Sequence, residues 1–340
     1  MDEGASVEVD LATLLPESLV ERVLHHGALL LDVDDTILLR ERQGGGGSES
    51  FSDSMSATLL PELLMRGFRL SLITGHGWKQ LDSRLIGPLT AQLSGSPEAI
   101  QRLHIYANRG ATKILWDGTR HGADESYGTR HNLRAGDIET LNGLLHSLSE
   151  HLTNEVEAQP DWYRTTFPRF DFKSLPPTIV EREGAVLVLR PVPTAKHAES
   201  GEAVGALDLR DQLYERGVEL LKQGKLSDDY EIARAGRSSI EITRRGVSKE
   251  TAVRDLIARI SASTGQSPSH TEGAMVYVGD EFFPGGNDYV MPAVFPSMLC
   301  LSVESEKVPD GVVSLSTTTG RSGPSATEAV LRHLCRVVTL

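Results

Sequence analysis

The sequence predicts an α/β fold: a mainly parallel sheet flanked by helices, with a separate α+β domain inserted into it. Three observations carry this expectation. Short apolar runs bounded by glycine or proline alternate with helical patterns up to residue 115. From 116 to 239 the alternation breaks down and prolines become frequent between Pro160 and Pro193. From 240 onward it resumes. The expected organisation is a first core segment over 1–115, an inserted domain over 116–239 and a second core segment over 240–340, about the two domains that 340 residues suggest at roughly 150 each.

The elements follow from local chemistry. Residues 16–26 have a helical pattern, with Pro16 suited to the first turn and Gly27 to the end. Residues 28–33 are continuously apolar up to Asp32, as a strand buried on both faces is. Residues 43–50 contain four consecutive glycines and read as a loop; no strand runs directly into it, so it is not a phosphate cradle. A helix is expected over 55–66, a strand over 68–74, a helix over 78–86 stopped by Gly87-Pro88, and a strand over 103–107. In the insertion, Ile138, Leu141, Leu145, Leu148 and Leu152 fall at helical spacing within 137–152. A strand over 185–192, a helix over 207–221 and strands around Gly236 within 230–242 follow. The resumed core reads as a helix over 251–260, strands over 274–278 and 297–303, and a closing helix over 326–334. The Ser-, Thr- and Gly-rich stretch 308–325 reads as a loop.

Composition excludes several classes of function. The chain is 39% hydrophobic, enough to build a core. With 47 acidic and 34 basic residues its formal charge is -13, which disfavours general binding to nucleic acid or an anionic membrane. A few local donors and a metal ion can still hold a phosphate. Cys300 and Cys335 are too few for a disulfide framework, and their apolar surroundings suit buried thiols. Met1-Asp2-Glu3-Gly4 is acidic where a signal peptide is basic, and no apolar run approaches the ~20 residues of a membrane span. The expectation is a soluble cytoplasmic protein, with its oligomeric state left open.

Reactive residues fall at the C-terminal ends of the apolar strands, where parallel α/β sheets bind ligands. Asp32 and Asp34 close the first strand; two carboxylates so close repel and call for a cation or a shared proton. Asp280 closes a later strand and is followed by Glu281 and Asn287-Asp288. Oxygen ligands from two strand ends suit Mg2+, and the set lacks the His and Cys of a structural zinc site. Thr74 ends the second strand in Ile73-Thr74-Gly75-His76-Gly77, where a hydroxyl beside glycine-freed N–H groups can hold a phosphoryl oxygen. Lys249 opens a helix behind Ser248, which suits the N-cap, and a lysine there opposes the helix dipole unless an anion lies near. Singly, each is an ordinary cap or turn residue; the reading rests on their co-occurrence.

Asp32-Val33-Asp34-Asp35-Thr36, Ile73-Thr74-Gly75, Lys249, and Gly279-Asp280 with Asn287-Asp288 resemble, in order and setting, the motifs of the haloacid dehalogenase (HAD) superfamily. The likeness covers about 28–110 and 240–301. The insertion resembles a type IIB (C2B-type) cap, as in Cof-type phosphatases, trehalose-phosphate and sucrose-phosphate phosphatases, and phosphomannomutase. Residues 279–288 are close to the phosphomannomutase form of the last motif, and Gly246-Val247-Ser248-Lys249 is closer to the phosphatase form. Asp35 stands where the IIB group usually has Gly, and Asn108-Arg109-Gly110-Ala111 where many relatives carry Glu-Asn-Gly-Ala.

The resemblance implies a Rossmann-like core and a set of roles. Asp32 would be the nucleophile, forming an aspartyl-phosphate, and Asp34 the acid and then the base. Mg2+ would be held by Asp32, the Asp34 backbone carbonyl and Asp280, with Asp288 supporting it or holding Lys249. Thr74, Gly75 and Lys249 would bind the phosphoryl group. An acid/base at Asp34 favours phosphoryl transfer, because the dehalogenases of the superfamily lack it. The cap would choose the substrate, with Arg190, Lys196, His197, Arg234, Arg237, Ser238 and Ser239 as candidate contacts, and His76 and Asn287 beside the motifs. Trp162 and Tyr163 could stack on a sugar ring. The expected activity is that of a Mg2+-dependent phosphatase acting on a small phosphorylated metabolite of the sugar-phosphate type. The alternatives are a phosphohexomutase and a non-catalytic sugar-phosphate-binding protein.

Overall fold

The computed structural model of the chain describes residues 11–39, 51–168, 177–191, 200–236, 238–304 and 307–338. The glycine-rich stretch expected as a loop at 43–50 lies outside the described residues. In chain order the strands are β1 (Ala28–Leu31), β2 (Leu70–Ile73), β3 (Leu103–Ala107), β4 (Thr112–Trp116), β5 (His121–Ala123), β6 (Thr178–Arg182), β7 (Val186–Arg190), β8 (Tyr230–Ala235), β9 (Ser239–Arg244), β10 (Met275–Gly279), β11 (Leu299–Ser302) and β12 (Val312–Ser314). The chain divides into two units, one formed by Met1–Glu125, Ser248–Pro284 and Asp288–Leu340, the other by Ser126–Val247 with Gly285–Asn287.

The first unit holds an eight-stranded sheet in the order β12-β11-β10-β1-β2-β3-β4-β5. Pairing is parallel from β12 through β3, and the β3-β4-β5 edge is antiparallel. Every residue of β1, β2 and β10 is buried, which is why these strands read as continuous apolar runs. Leu29, Leu31, Leu70, Leu72, Val276 and Val278 join one core with residues of helices Ser56–Met65 and Pro324–Val337. Each such side chain contributes roughly 1.5–3 kcal/mol by leaving water.

Register decides where the chemistry falls. Leu31 pairs with Val278 and, on the other side, with Leu72. The Asp32 N–H then donates to the Val278 carbonyl at 2.9 Å, and the Thr74 N–H to the Tyr106 carbonyl at 3.0 Å. The residues following β1, β2 and β10 therefore emerge at one edge of the sheet. After β1 the chain continues to β2 on one side, while β10 lies on the other. This is the kind of switch point at which open α/β sheets bind ligands.

The second unit holds an antiparallel sheet ordered β6-β7-β9-β8, with helices Ile138–Ala158 and Ser200–Gln223. Leu141, Leu145, Leu148 and Leu152 of the first helix share a core with Leu187, Leu189, Ile240 and Ile242 of the sheet. The helical periodicity of 137–152 thus marks the buried stripe of a longer helix.

Two elements differ from expectation. The segment expected as a helix over 78–86 and stopped by Gly87-Pro88 instead continues. Trp78–Leu81 passes into a π-helical turn, Asp82–Ile86, and then into helix Gly87–Gln92. The Gly87 N–H reaches back to the Asp82 carbonyl, and this widened turn accommodates the missing N–H and the ring of Pro88. The stretch expected as a loop at 308–325 contains edge strand β12, helix Leu315–Thr319 and the start of the closing helix. Its Ser and Thr residues act as caps: Ser314 Oγ accepts the Thr317 N–H at 3.3 Å. At the margins of the insertion, β4 and β5 extend the core sheet to Ala123, and β9 stays in the second sheet through Arg244. Cys300 and Cys335 are buried free thiols, and no described helix is long and apolar enough to cross a membrane.

Candidate active site

The site lies within the first unit. Asp32 leaves β1 buried. The chain then turns tightly, with the Asp35 N–H donating to the Leu38 carbonyl at 2.6 Å and Asp35 at φ 54°. That left-handed conformation favours glycine, and aspartate is among the few other residues that tolerate it. Thr74 follows β2, buried, and its Oγ1 accepts the His76 N–H at 3.2 Å.

Lys249 is the first residue of helix Lys249–Thr264 behind the extended N-cap Ser248, whose N–H donates to Thr251 Oγ1 at 3.2 Å. The ammonium is 2% exposed and lies 3.1 Å from Asp32 Oδ1 and 2.7 Å from Asp288 Oδ1. These are the anions that the lysine at a helix start called for. Asp288 is fully buried and accepts three donors: the Lys249 ammonium, the Tyr277 hydroxyl at 2.5 Å and the Glu281 N–H at 3.0 Å. Gly279 makes room for this carboxylate, since a Cβ there would lie 2.5 Å from Asp288 Oδ2 and 2.9 Å from the Tyr277 ring.

The loop after β3 braces this arrangement. Asn108, Arg109 and Gly110 all have positive φ, at 53°, 58° and 95°. The Asn108 N–H donates to the His76 carbonyl at 2.7 Å and the Arg109 N–H to the Thr74 carbonyl at 2.8 Å. Gly110 packs against the Ser248 carbonyl so closely that a Cβ would stand 2.5 Å from it. Three successive left-handed residues are costly and persist where packing over-determines them; here they tie β2, β3 and the Lys249 helix together.

Asp32, Asp280 and Asp288 present carboxylate oxygens within 4.8 Å of one another. Glu281 is buried beside them in sequence. Burial and the neighbouring carboxylates push the Asp32 carboxyl up to about 6 against the pull of Lys249. Burial opposes the charge on Lys249, but Asp288 and Asp32 outweigh it and hold the ammonium above its ordinary range. Burial would raise Asp288, yet Lys249 and its hydrogen bonds hold it below the usual carboxylate range. A set of hard oxygen donors carrying excess negative charge fits a divalent cation of the Mg2+ type, with Asp32, Asp280 and Asp288 as the holding side chains.

Asp34 takes a different place. Its side chain is outside that carboxylate cluster: Oδ2 is 2.7 Å from His76 Nδ1 and Oδ1 is 3.3 Å from the Arg84 guanidinium. The metal contact expected of Asp34 was through its backbone carbonyl, and its side chain remains on the His76 side. His76, read from sequence as a substrate contact, meets Asp34. Of the expected cap contacts, Arg190 ends β7 and Ser238, buried, precedes β9, both in the second unit. Arg234 pairs with Asp211 at 2.8 Å and Glu215 at 3.4 Å and lies over the Tyr214 ring. Asn287 clusters with the second unit, and Lys196, His197 and Arg237 lie outside the described residues. Tyr163 is buried in the core of the second unit with Trp162 packed edge-on to it, 39% exposed.

Sequence reasoning missed Tyr277 and Arg84. Tyr277 carried a readable signal: with a period of two it shares a face of β10 with Gly279, and a tyrosine in a fully apolar strand needs a buried partner for its hydroxyl. Arg84 carried none, being 50 residues from Asp34 on a helix that sequence alone ended two residues later.

No family profile matches the sequence, and no curated protein matches it. Solved structures do match the fold. The C-terminal domain of Candida albicans trehalose-6-phosphate phosphatase superposes with a TM-score of 0.56 at 14% identity, over 96% of this chain and 99% of that one. C-terminally truncated Plasmodium falciparum IMP-nucleotidase gives 0.55 at 14% identity, over 97% and 76%. Aspergillus fumigatus trehalose-6-phosphate phosphatase gives 0.53 at 11% identity, over 97% of both chains. At these identities the likeness is one of fold.

Proposed function

We propose that the chain is a Mg2+-dependent phosphomonoester hydrolase that works through an aspartyl-phosphate on a small phosphorylated metabolite. The observation that carries this reading is the buried Lys249 ammonium bridging Asp32 and Asp288 inside the Asp32–Asp280–Asp288 cluster. A bare cluster of this kind, three carboxylates against one ammonium, is self-repelling, and a bound divalent cation would balance its excess charge. The cation, when bound, neutralises carboxylate and phosphate charge and lets an anionic nucleophile approach an anionic ester.

The chain's own groups do the rest. Thr74 Oγ1 and the Lys249 ammonium hold the phosphoryl oxygens. The Asp32 carboxylate forms a bond to phosphorus as the ester P–O bond breaks, and Asp34 gives a proton to the departing oxygen. Asp34, now a carboxylate, takes a proton from the water that attacks the aspartyl-phosphate; phosphate leaves and Asp32 is restored. The second unit, as the cap, would select the substrate.

The structural neighbours are named for two substrates, trehalose 6-phosphate and IMP. The test is therefore Mg2+-dependent phosphate release from a panel of sugar phosphates and nucleoside 5′-monophosphates, with Asp32→Asn as control. Release by the wild type and none by the variant is expected; equal release by both rejects the nucleophile. The Pro284-Gly285-Gly286-Asn287-Asp288 stretch supports a second reading, a phosphohexomutase. That reading requires a sugar bisphosphate activator and an isomerised product, so free phosphate as the sole product excludes it.

A further inference from the structure

Beside the expected motif residues stands a contact that they do not include. Both oxygens of the Asp34 carboxylate are engaged: Oδ2 at 2.7 Å by His76 Nδ1, and Oδ1 at 3.3 Å by Arg84. His76 is itself held at two backbone points, its N–H donating to Thr74 Oγ1 at 3.2 Å and its carbonyl accepting the Asn108 N–H at 2.7 Å. Asn108 adopts the left-handed φ of 53° to make that bond. The His76 backbone is thus fixed to the loop that carries Thr74, and its ring reaches Asp34 from there. A carboxyl group on a single bond rotates freely unless its oxygens are bound, and a proton donor must point at the atom it protonates to within a fraction of an ångström.

We propose that His76 is a positioning residue for Asp34: it donates Nδ1–H to Oδ2 and so keeps Oδ1 as the oxygen that carries the transferred proton. The inference rests on the reading of Asp34 as acid and base given above. As Asp32 bonds to phosphorus, the P–O(ester) bond breaks and its electron pair stays on the ester oxygen. The proton on Asp34 Oδ1 moves there, and the alcohol departs. Oδ1 is then anionic, and the longer Arg84 contact steadies it until the hydrolytic water returns a proton to the same oxygen. Both halves of the reaction use one oxygen, and His76 occupies the other.

Leaving-group dependence tests the proposal, because a merely structural defect lowers turnover of all substrates alike. The full chain with Mg2+ is assayed on an alkyl monoester from the panel, whose leaving oxygen needs a proton, and on p-nitrophenyl phosphate, whose leaving oxygen does not. General-acid contributions are typically ~10²–10⁴-fold, so Asp34→Asn should lose that much kcat on the alkyl ester and far less on the aryl ester. His76→Ala should show the same asymmetry at about 10–100-fold on the alkyl ester, a part of the general-acid effect, and less than about threefold on the aryl ester. His76→Asn, whose amide can place an N–H near the Nδ1 position, should recover most of the loss. His76→Gln, which displaces that N–H, should not. The Asn–Gln comparison stands even if His76→Ala fails to fold. Equal losses on both esters, no loss, a gain in turnover, or equal behaviour of His76→Asn and His76→Gln would overturn the positioning role. If Asp34→Asn shows no asymmetry, the acid assignment itself falls. If the wild type hydrolyses neither ester, the proposed function falls, and the inference with it.

Discussion

In Asp32→Asn the carboxylate at the end of β1 becomes a neutral amide of nearly the same shape, and stability and activity should move in opposite directions. Burial and the Asp288, Asp34 and Glu281 carboxylates hold Asp32 at about 6 against an ordinary 3.8, even with Lys249 beside it. At 1.36 kcal/mol per pH unit, ionised Asp32 weakens the metal-free folded state by about 3 kcal/mol. The sign follows from proton binding. Below pH 3.8 the group is protonated in both states and contributes nothing. Between 3.8 and about 6 the folded state keeps a proton that the unfolded chain has lost, so stability declines as pH rises; above about 6 the full penalty applies. Because that rise is already net of the Lys249 attraction, the amide should recover most of the penalty, a gain of roughly 2–3 kcal/mol at pH 7, against almost none near pH 4. Urea unfolding in chelator at both pH values measures it through the midpoint at constant slope. Phosphate release by the variant should be absent. A variant less stable than wild type at pH 7 without metal would refute the reasoning, because the Lys249 pair would then outweigh the burial of charge.

Three further outcomes follow from the same geometry. Asp288→Asn leaves the Lys249 ammonium with Asp32 alone and sets an amide N–H against either Lys249 or the Glu281 N–H, so a loss of about 3 kcal/mol is expected in the same urea assay; a change under 0.5 kcal/mol would contradict it. Mg2+ at about 100 times its dissociation constant should stabilise the wild type by about 2.7 kcal/mol in thermal unfolding, and by much less in Asp280→Asn, which removes a ligand from the cluster; an equal response in both would dissociate Asp280 from the metal. Gly279→Ala places a methyl group 2.5 Å from Asp288 Oδ2, and the displaced carboxylate should cost about 1–3 kcal/mol of stability and weaken the Mg2+ response together; a variant that keeps both refutes the role given to the glycine.

The sheet and the strand-end carboxylates were legible because the signals are local and repeated. A parallel strand buried on both faces is largely apolar, so its end is marked by the first charged residue, and Asp32 and Asp280 are such marks. Elements whose stability comes from elsewhere were not legible. β12 is three residues long and exists because β11 offers an edge, and the helix through Gly87-Pro88 persists because a π-turn absorbs the proline. The partners of Asp34 were hidden for a different reason. His76 was visible as a residue of interest, but its target depends on how the loops after β1, β2 and β3 stack, which no periodicity encodes.

These hidden contacts divide the strand-end carboxylates into two groups with opposite requirements. Asp32, Asp280 and Asp288 crowd together around one ammonium, and their mutual repulsion is what a divalent cation would relieve. Asp34 is two residues from Asp32 yet turned away from that cluster by His76 and Arg84. In the proposed mechanism Asp34 first gives and then takes a proton, which a metal-bound carboxylate could not do, since coordination would fix it in its ionised form. The left-handed turn at Asp35, which directs the chain back toward Leu38, and the braced Asn108–Gly110 loop, which holds His76, are therefore parts of one device. Together they give two aspartates separated by a single valine different electrostatic surroundings, which is what the two roles proposed for them require.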